Sequence, residues 1–559
     1  MTRHAGVLAL VIALGAYGLL AFHQLELPGL HYDEALQVLP AMQLVLGQDP
    51  EAFRGAALQA GGRSFPLMVY DYVGTVDTYS AVPFMALLGP GLAAVRTMSI
   101  GFGALTLVLA YLVARRLFDR RVAALTAVLL AVDPSFVFWN RQGVFLTAVI
   151  AALATASLLA LLRWRDSRKR GWLVLGTFLL GIGLYAKLLF LWFVVGLAVA
   201  ALAAYPRALR ERLRHDPRSW FGDAGVALAS LLAGASGLIA FNLLTGGTVQ
   251  LVAKYLETSY LGVENLAFGQ NLLDRLGDFQ ILLRGSQFWY LGATLENPLS
   301  TLLFLAVPLA AALVLRRERR WRREIGFVAV LIAVMVPLST FTPTALKIEH
   351  YVIFLPWIQL FMAACLVTLA EGAGQRVVAR ERPPLIRLVV GAAVVAMVAL
   401  SVRADLGYHE ALRRTGGFDG HTSAIYDLAR YLDQEGGPVA ALDWGIGKQV
   451  RFLTQGRIVP DEIFGFESVS EPDPGFDDRV QRYLADPEVV YVFHAPRWTI
   501  FPRLQAFESL VADAGGHTER VAGIRDRSGE EIFLLLRVTA AGSSQAPGQQ
   551  LVGMGRKTH

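Results

Sequence analysis

Residues 92–139 read LAAVRTMSIGFGALTLVLAYLVARRLFDRRVAALTAVLLAVDPSFVFW. This stretch holds two apolar runs, 92–114 and 122–139, joined by the basic segment RRLFDRR at 115–121. A helix needs about 20 apolar residues to cross roughly 30 Å of hydrocarbon, because every backbone polar group must be paired inside the segment. The stretch therefore predicts two membrane-spanning helices connected by a short charged turn.

The composition extends this pattern to the whole chain. Of 559 residues, 55% are hydrophobic and 17% are charged, and the mean hydropathy of +0.47 is high for a soluble protein. We predict a polytopic α-helical membrane protein with about eleven transmembrane helices, the first being an uncleaved anchor. The predicted spans are 5–22, 92–114, 122–139, 143–162, 172–186, 188–205, 224–245, 298–315, 325–341, 350–370 and 386–402.

The basic residues predict the orientation of these spans, because Lys and Arg near span ends are retained in the cytoplasm. Alternate loops hold 24 Lys and Arg together, at 115–121, 163–170, 207–218, 316–323 and 376–387. The short loops of opposite parity hold one each, namely Arg141, Lys187 and Lys347. We therefore expect an inner-membrane protein with a cytoplasmic N-terminus, and with everything after about residue 403 outside. Nucleic-acid binding is excluded, since the basic runs sit in short turns at the membrane face.

The long connections all lie on the predicted outer side, at 23–91, 246–297 and 403–559. Long loops in a chain with otherwise short connections usually carry function. Two of them contain the mixed stretches ALQVLPAMQLVLG (35–47) and LVAKYLETSYLGV (251–263). These stretches resemble amphipathic helices on the membrane surface, but amphipathicity alone favours segments that plug the bundle.

The C-terminal region changes composition, which predicts a transmembrane domain at 1–402 and an extracytoplasmic α/β domain at 403–539. Strand-like runs VAALDW (439–444), VVYVFHA (489–495) and EIFLLLRV (531–538) alternate there with helix-like stretches. WGIGK at 444–448 lacks the spacing of a phosphate loop and is interpreted as a turn. The tail 540–559 is rich in Gly, Ser and Gln, which predicts disorder. Cys365 is the only cysteine and falls in a span, which excludes disulfides and Cys-based metal sites.

The sharpest polar cluster is His31-Tyr32-Asp33-Glu34, a few residues after the first span. Two adjacent carboxylates near hydrocarbon repel each other and lose hydration, so one of them is a candidate base with a raised pKa. The alternative is structural, because acidic residues in the first turn of a helix stabilise its dipole. Spacing alone favours this structural alternative.

Four segments carry a resemblance to a known family: HYDEA (31–35), VRTMSIG through FWNRQG (95–143), GIGLYAKLLFLWFV (181–194) and TPTALKIEHYVIFLPWIQLFMA (342–363). In this order they resemble the GT-C membrane glycosyltransferases of the type that includes protein O-mannosyltransferases and the bacterial aminoarabinose transferase (glycosyltransferase family 39-like). The resemblance implies a GT-C-like helical fold, an external active site and a polyprenyl-phosphate-linked sugar as donor.

The chain departs from this family in two places. YVGTVDTYSAVPFMALLG (72–89) stands where many relatives carry His-Pro-Pro, and the aspartate often found shortly after the arginine equivalent to Arg141 is missing, since QGVFLT follows. These departures concern the substrate and any divalent cation rather than the fold. Whether a metal takes part is left open; oxygen-rich ligands such as Asp77, with His31, would suit a hard ion.

The predicted reaction assigns a role to each group. Transfer of a sugar from a lipid phosphate to a hydroxyl needs a base for the acceptor and cations for the departing phosphate. Asp33 is the predicted base and Glu34 assists it or binds a cation. The donor phosphate is predicted to bind Arg141, Lys187 and Lys347, with hydrogen bonds from His350 and Tyr351, and His31 and Asp77 are a possible metal site or second acid. Alternatively, each lone cation snorkels to lipid phosphate, and Tyr351 belongs to the interfacial aromatic belt.

The sequence therefore predicts an enzyme that glycosylates a protein, lipid or polysaccharide acceptor. Its partners would be this acceptor, the polyprenyl-phosphate donor and membrane lipids. A transporter or flippase is the rival interpretation, as is a non-catalytic scaffold that presents the C-terminal domain. Transporters place charges near the bilayer midplane and repeat their halves, whereas the predicted spans have almost no central charges and the chain has no internal repeat.

Overall fold

The computed structural model describes residues 3–259, 262–316, 319–342, 347–375 and 384–540. The chain forms two compact units, Met1–Ser423 and Ala424–His559. The helices of the first unit are α1 (Arg3–Phe22), α2 (Tyr32–Val45), α3 (Val76–Leu88), α4 (Leu92–Leu117), α5 (Arg120–Ala131), α6 (Pro134–Asn140), α7 (Thr147–Ser167), α8 (Arg170–Ala186), α9 (Leu191–Ala204), α10 (Pro206–His215), α11 (Pro217–Gly234), α12 (Ser236–Thr245), α13 (Gly247–Lys254), α14 (Phe268–Arg284), α15 (Pro298–Leu315), α16 (Arg322–Leu338), α17 (Leu355–Gln375) and α18 (Pro384–Thr415).

Every predicted span coincides with a helix or a helix pair. Six helices in the described residues are long and apolar enough to cross a membrane, and up to nine spans result if each bent pair counts as one. The protein is thus a mostly helical membrane protein with six to nine candidate spans, as expected in outline. Predicted span 122–139 divides into α5 and α6, which meet at 62° around Asp133 and Pro134.

The bend between α5 and α6 follows from local sequence. Pro134 cannot donate a backbone hydrogen bond to the preceding turn, so a helix ends before it. The carboxylate of Asp133 then accepts from the N–H of Phe136 at 3.0 Å and caps the new helix. Asp133 also binds the side chain of Gln359 on α17 at 2.8 Å, which fixes this corner to the bundle.

The outer faces of several helices remain apolar and exposed. Leu302, Leu305, Leu309 and Leu313 of α15 are 59–72% exposed, although they are large hydrophobic side chains. Such a stripe is unfavourable in water and is what a lipid-facing surface requires.

The first long loop forms part of the bundle. The hairpins β1 (Ala57–Ala60) with β2 (Arg63–Pro66) and β3 (Met68–Tyr70) with β4 (Val73–Gly74) were missed from the sequence. Residues 35–45 of the stretch 35–47 lie in α2, where most side chains are buried. Of the two alternatives for this stretch, the plug within the bundle is the correct one. The companion stretch 251–263 begins in α13, and residues 260–261 lie outside the described ranges.

The basic loops meet at one end of the first unit. Arg320, before α16, forms ion pairs with Glu371 at 2.7 Å and Asp119 at 3.3 Å, and Arg121 pairs with the same Glu371 at 2.5 Å. Three loops that are distant in sequence therefore lie together, as alternate charge in the sequence requires. Residues 376–383 of the fifth basic loop lie outside the described ranges.

The second unit is built on a five-stranded sheet. Its elements are α19 (Ala424–Glu435), β5 (Val439–Ala441), α20 (Gly447–Leu453), β6 (Asp461–Glu462), α21 (Phe476–Leu484), β7 (Val490–His494), α22 (Leu504–Asp513), β8 (Gly516–Arg525) and β9 (Glu531–Ala540). The strand order is β6-β5-β7-β9-β8, with β5 parallel to both neighbours and β9 antiparallel to both of its own. Three strands and helices α19 and α22 lie where the sequence predicted them, whereas β6, β8, α20 and α21 were missed. The predicted boundary at 402/403 falls inside α18, and the tail 541–559 lies outside the described ranges.

Candidate active site

The acidic cluster opens helix α2. His31 is the N-cap, and its Nδ1 accepts the backbone N–H of Asp33 at 3.2 Å. Asp33 and Glu34 stand in the first turn, so the structural role suggested by the sequence is fulfilled. Both carboxylates are nevertheless buried, at 7% and 0% exposure, which a dipole interaction at a helix end does not require. Because burying a charge is costly unless it is paired, these carboxylates must have partners or a functional role.

Glu34 is held by an arginine from inside a span. Arg96 of α4 donates from Nε and Nη2 to the two carboxylate oxygens at 3.0 and 3.1 Å, which is a bidentate pair. Arg96 also donates to the carbonyl oxygens of Leu25 and Gly29, and so ties the acidic loop to the bundle. A Cβ at Gly143 would come within 3.3 Å of the Glu34 carboxylate, so a glycine leaves room for it.

Asp33 has different neighbours. Its carboxylate receives a hydrogen bond from Tyr70 on β3 and lies in the field of Lys187 and Lys347. Burial raises the pKa of Asp33 to about 6, against the opposing effect of the two lysines. At neutral pH this carboxylate is mostly charged and close to the pH at which a base works best.

Lys187 lies at the point where β4 meets the end of α8. Its backbone bridges to Val73, and the next N–H, of Leu188, donates to the carbonyl of Tyr72 at 3.1 Å. The side chain is 1% exposed, and burial lowers its pKa to about 8 although Glu349, Asp33 and Asp77 favour its charged form. Three carboxylates therefore offset part of the desolvation cost of this buried lysine.

Asp77 lies in the first turn of α3 and is 3% exposed. Among the described residues, its Oδ1 has no hydrogen-bond partner. Burial raises the pKa of Asp77 to about 7, with Lys187 acting in the opposite direction. Asp77 therefore lies in the same electrostatic group as Asp33 and Lys187 rather than in a separate site.

The three cations of the predicted clamp act on adjacent carboxylates, Arg141 on Glu34 and the two lysines on Asp33. Lys187 and Lys347 both act on Asp33 and on Glu349. Arg141 also donates from Nη2 to the carbonyls of His23 and Gln24 at 2.5 and 2.8 Å, at the end of α1.

His350 and Tyr351 lie in a 3-10 helix, Ile348–Phe354, directly before α17. The hydroxyl of Tyr351 is 2.9 Å from that of Ser339, and the side chain is completely buried. Its ring contacts Phe354 and Trp192, so it packs in the core. His350 is 7% exposed and interacts electrostatically with Lys187 and Lys347.

Comparison with known proteins gives the site its context. Residues 77–233 match the model of the family described as dolichyl-phosphate-mannose-protein mannosyltransferase. This matched segment includes Asp77, Arg96, Arg141 and Lys187. The chain is a membrane glycosyltransferase that is similar to this family over residues 77–233. No curated protein matches it in sequence.

The solved structures that resemble this glycosyltransferase share its fold. ArnT from Cupriavidus metallidurans, bound to undecaprenyl phosphate, is 13% identical with a TM-score of 0.56, over 98% of this chain and 100% of that one. The oligosaccharyltransferase AglB from Archaeoglobus fulgidus, in complex with an inhibitory peptide and a dolichol-phosphate, is 14% identical with a TM-score of 0.53, over 98% of this chain and 75% of that one. The GT-C fold expected from the sequence is therefore confirmed.

Sequence reasoning missed several residues of the candidate site. Arg96 is a charge inside predicted span 92–114, and that position was the signal that could have identified it. Glu349 stands two residues after Lys347. Its effect on the charge of Lys187 depends on the tertiary structure, which brings the end of α8 near the 3-10 helix. Tyr70 belongs to a hairpin with no clear sequence pattern. Within the described ranges, no group of three His, Cys, Asp or Glu side chains is arranged to hold a metal ion.

Proposed function

We propose that the chain transfers a sugar from a polyprenyl-phosphate donor to an acceptor hydroxyl on the non-cytoplasmic side of the membrane. The observation that carries this proposal is the grouping of one buried carboxylate, Asp33, with the cations Lys187 and Lys347. The undecaprenyl phosphate and dolichol-phosphate in the similar structures indicate the donor class. Sugar transfer needs a base close to a phosphate site, and the electrostatic effect of both lysines on Asp33 supports such an arrangement.

Asp33 acts as the general base. Its carboxylate takes the proton of the acceptor hydroxyl, whose oxygen attacks the anomeric carbon as the bond from that carbon to the phosphate oxygen breaks. The leaving phosphate keeps the bonding electron pair, and the ring passes through an oxocarbenium-like state. Lys187 and Lys347 stabilise the charge that develops on this phosphate. The contribution of Lys187 is worth more than it would be in water, because this lysine is buried, whereas Lys347 is exposed.

The remaining predicted residues support this pair. Glu34, through its pair with Arg96, holds the start of α2 and so assists Asp33 by positioning it. Asp77 acts as a second acid that keeps Lys187 charged. Arg141 fixes the end of α1, and His350 lies within the field of the two lysines. A divalent cation bound by Asp33 or Asp77 would compete with Lys187, because both carboxylates already act on this lysine.

The proposed topology has eleven spans, a cytoplasmic N-terminus and an external C-terminal domain. The nine spans counted with bent pairs and the two 17-residue helices α8 and α16 together give this number. In a Cys365→Ala background, we expect Ser509→Cys to react with a membrane-impermeant maleimide in intact cells. Ser167→Cys, at the basic end, should react only after permeabilisation. Equal labelling of both positions in intact cells would contradict the orientation.

The activity is tested with purified full-length chain in nanodiscs. Undecaprenyl-phosphate mannose, arabinose and glucose, each labelled in the sugar, are offered with an envelope fraction of the host as acceptor. We expect one donor to lose its label to the acceptor and release undecaprenyl phosphate. Asp33→Asn should lower this turnover by about 10²–10⁴-fold, the usual contribution of a general base.

The control is Asp166→Asn at the basic end, which should keep normal turnover. A flippase would move the labelled lipid between leaflets without releasing its sugar. That result, or wild-type turnover in Asp33→Asn, overturns the proposed function.

A further inference from the structure

The segment 416–423, which follows α18, packs against the loop that carries Asp33. The backbone N–H of Gly29 donates to the carbonyl oxygen of His421 at 2.7 Å. A Cβ at position 29 would lie 1.9 Å from the carbonyl oxygen of Thr422, a distance that no side chain tolerates. The two backbones approach this closely only because residue 29 is glycine.

His421 forms the middle of a three-ring stack. Its ring centroid lies 4.4 Å from that of His31, with 25° between the planes, and 3.9 Å from that of Tyr290, with 16°. The carbonyl of Tyr290 also accepts the N–H of Phe418 at 2.7 Å. Three segments that are distant in sequence therefore hold the imidazole of His421 between two flat rings.

The stack reaches the carboxylate through His31. Because Nδ1 of His31 accepts the N–H of Asp33, the orientation of this imidazole determines how α2 begins. Burial lowers the pKa of His31 to about 3 and that of His421 well below its usual value. Both rings are therefore neutral at physiological pH, and they stack without charge repulsion.

The described residues offer no hydrogen-bond partner to the buried Nδ1 of His421. Stacking therefore holds the ring where a hydrogen bond at this nitrogen would otherwise do so. A contact of this kind depends on a flat ring of the right size rather than on the imidazole nitrogens.

We infer that His421 is a positioning residue for sugar transfer: its ring, clamped by Tyr290, fixes His31 and through it the Asp33 carboxylate. The inference rests on the proposed function of Asp33. It adds the segment before the second unit to the parts of the chain on which catalysis depends.

The test compares His421→Phe with His421→Leu in the full-length chain in nanodiscs, using the labelled undecaprenyl-phosphate sugar that the wild type consumes. Phenylalanine keeps a stacking ring, whereas leucine fills the space without one. We expect His421→Leu to lower kcat by 10- to 100-fold with the donor KM changed less than threefold, and His421→Phe to keep at least a third of the wild-type kcat. His215→Leu, on the exposed α10, is the matched control and should behave as wild type.

The pH profile separates positioning from general damage. An Asp33 that is no longer fixed gains access to water, so the rising limb of kcat should move from near pH 6 towards pH 4 in His421→Leu. Wild-type kcat in His421→Leu, an equal loss in His421→Phe, or a lower kcat with an unmoved limb would each overturn the inference. Failure of the proposed function is recognised separately, because Asp33→Asn would then retain turnover.

Discussion

The two ends of the transmembrane unit carry charge in opposite ways. At the end that holds Asp33, several ionic side chains are buried, and the Arg96–Glu34 pair is 1% and 0% exposed, although Lys347 is exposed. At the basic end they are many and exposed, and Arg121 and Arg320 are 53% and 54% exposed. Exposed charges cost little and report the orientation of the chain, whereas buried charges cost several kcal/mol per ion.

The difference supports our proposal that the reaction takes place at the first end. A protein keeps costly desolvated charges where they are paired or where they perform a reaction, and shifted pKa values accumulate at such sites. Asp33, Asp77 and Lys187 all have pKa values shifted by burial. At the basic end, salt and water screen the ion pairs, which makes them poor candidates for catalysis.

The largest expected effect is on stability at the buried end. Arg96→Met leaves the Glu34 carboxylate buried without its bidentate partner, which costs about 3–5 kcal/mol in comparable buried pairs. Burial raises the pKa of Glu34, so protonation should relieve part of the loss at pH 5 relative to pH 8. Thermal denaturation of the wild type and Arg96→Met in detergent, at pH 5 and at pH 8, measures this loss of stability. Arg116→Met, which breaks the exposed pair with Asp166, is the matched control, and an equal loss there would remove the contrast.

The next effect is on donor binding. Lys187→Met removes a buried cation, and a hydrogen bond to a charged group is worth about 1.5–3 kcal/mol, so undecaprenyl phosphate should bind roughly 10- to 100-fold more weakly. Native mass spectrometry or tryptophan fluorescence with undecaprenyl phosphate alone measures this affinity. Arg121→Met removes a charge of the same sign at the other end and should leave the affinity within twofold. A comparable loss of undecaprenyl phosphate affinity in Lys187→Met and Arg121→Met would show that the phosphate does not bind at Lys187.

A third prediction concerns pH. Because Asp33 must be deprotonated to accept a proton, kcat should fall as pH drops through its pKa of about 6. Lys187 favours the charged carboxylate, so Lys187→Met should move this limb to higher pH. Stopped-time assays from pH 4.5 to 8.5 measure the limb. A shift to lower pH in Lys187→Met would show that the lysine does not act on this carboxylate.

The smallest effect is expected at the basic end. Arg320→Gln breaks exposed ion pairs with Glu371 and Asp119. Exposed ion pairs contribute about 0–1 kcal/mol to the free energy of unfolding, and salt weakens them further. The melting temperature of Arg320→Gln should fall by no more than a few degrees, and less in 0.5 M salt, with turnover unchanged. A large loss of turnover would show that this end contributes to the reaction.

Much of the contrast between the two ends was predictable from the sequence, because it depends on residues that are close together along the chain. An apolar run of span length predicts a helix wherever it stands, and a lone Lys187 between two such runs is visible without any structure. The partner of Glu34 was not predictable, since Arg96 follows it by 62 residues in another element. The contact of Arg141 with the end of α1 likewise depends on segments that are distant in sequence.

The sequence by itself determined the apolar spans, their charge asymmetry and the position of the acidic cluster after the first span. These features follow from hydration of single residues and from the thickness of the bilayer, which need no knowledge of neighbours. Only the tertiary structure decided which charges meet, which carboxylate pairs with Arg96 and which one stays beside Lys187 and Lys347. Electrostatic interactions depend on distance and burial in three dimensions, and the order of residues along the chain specifies neither.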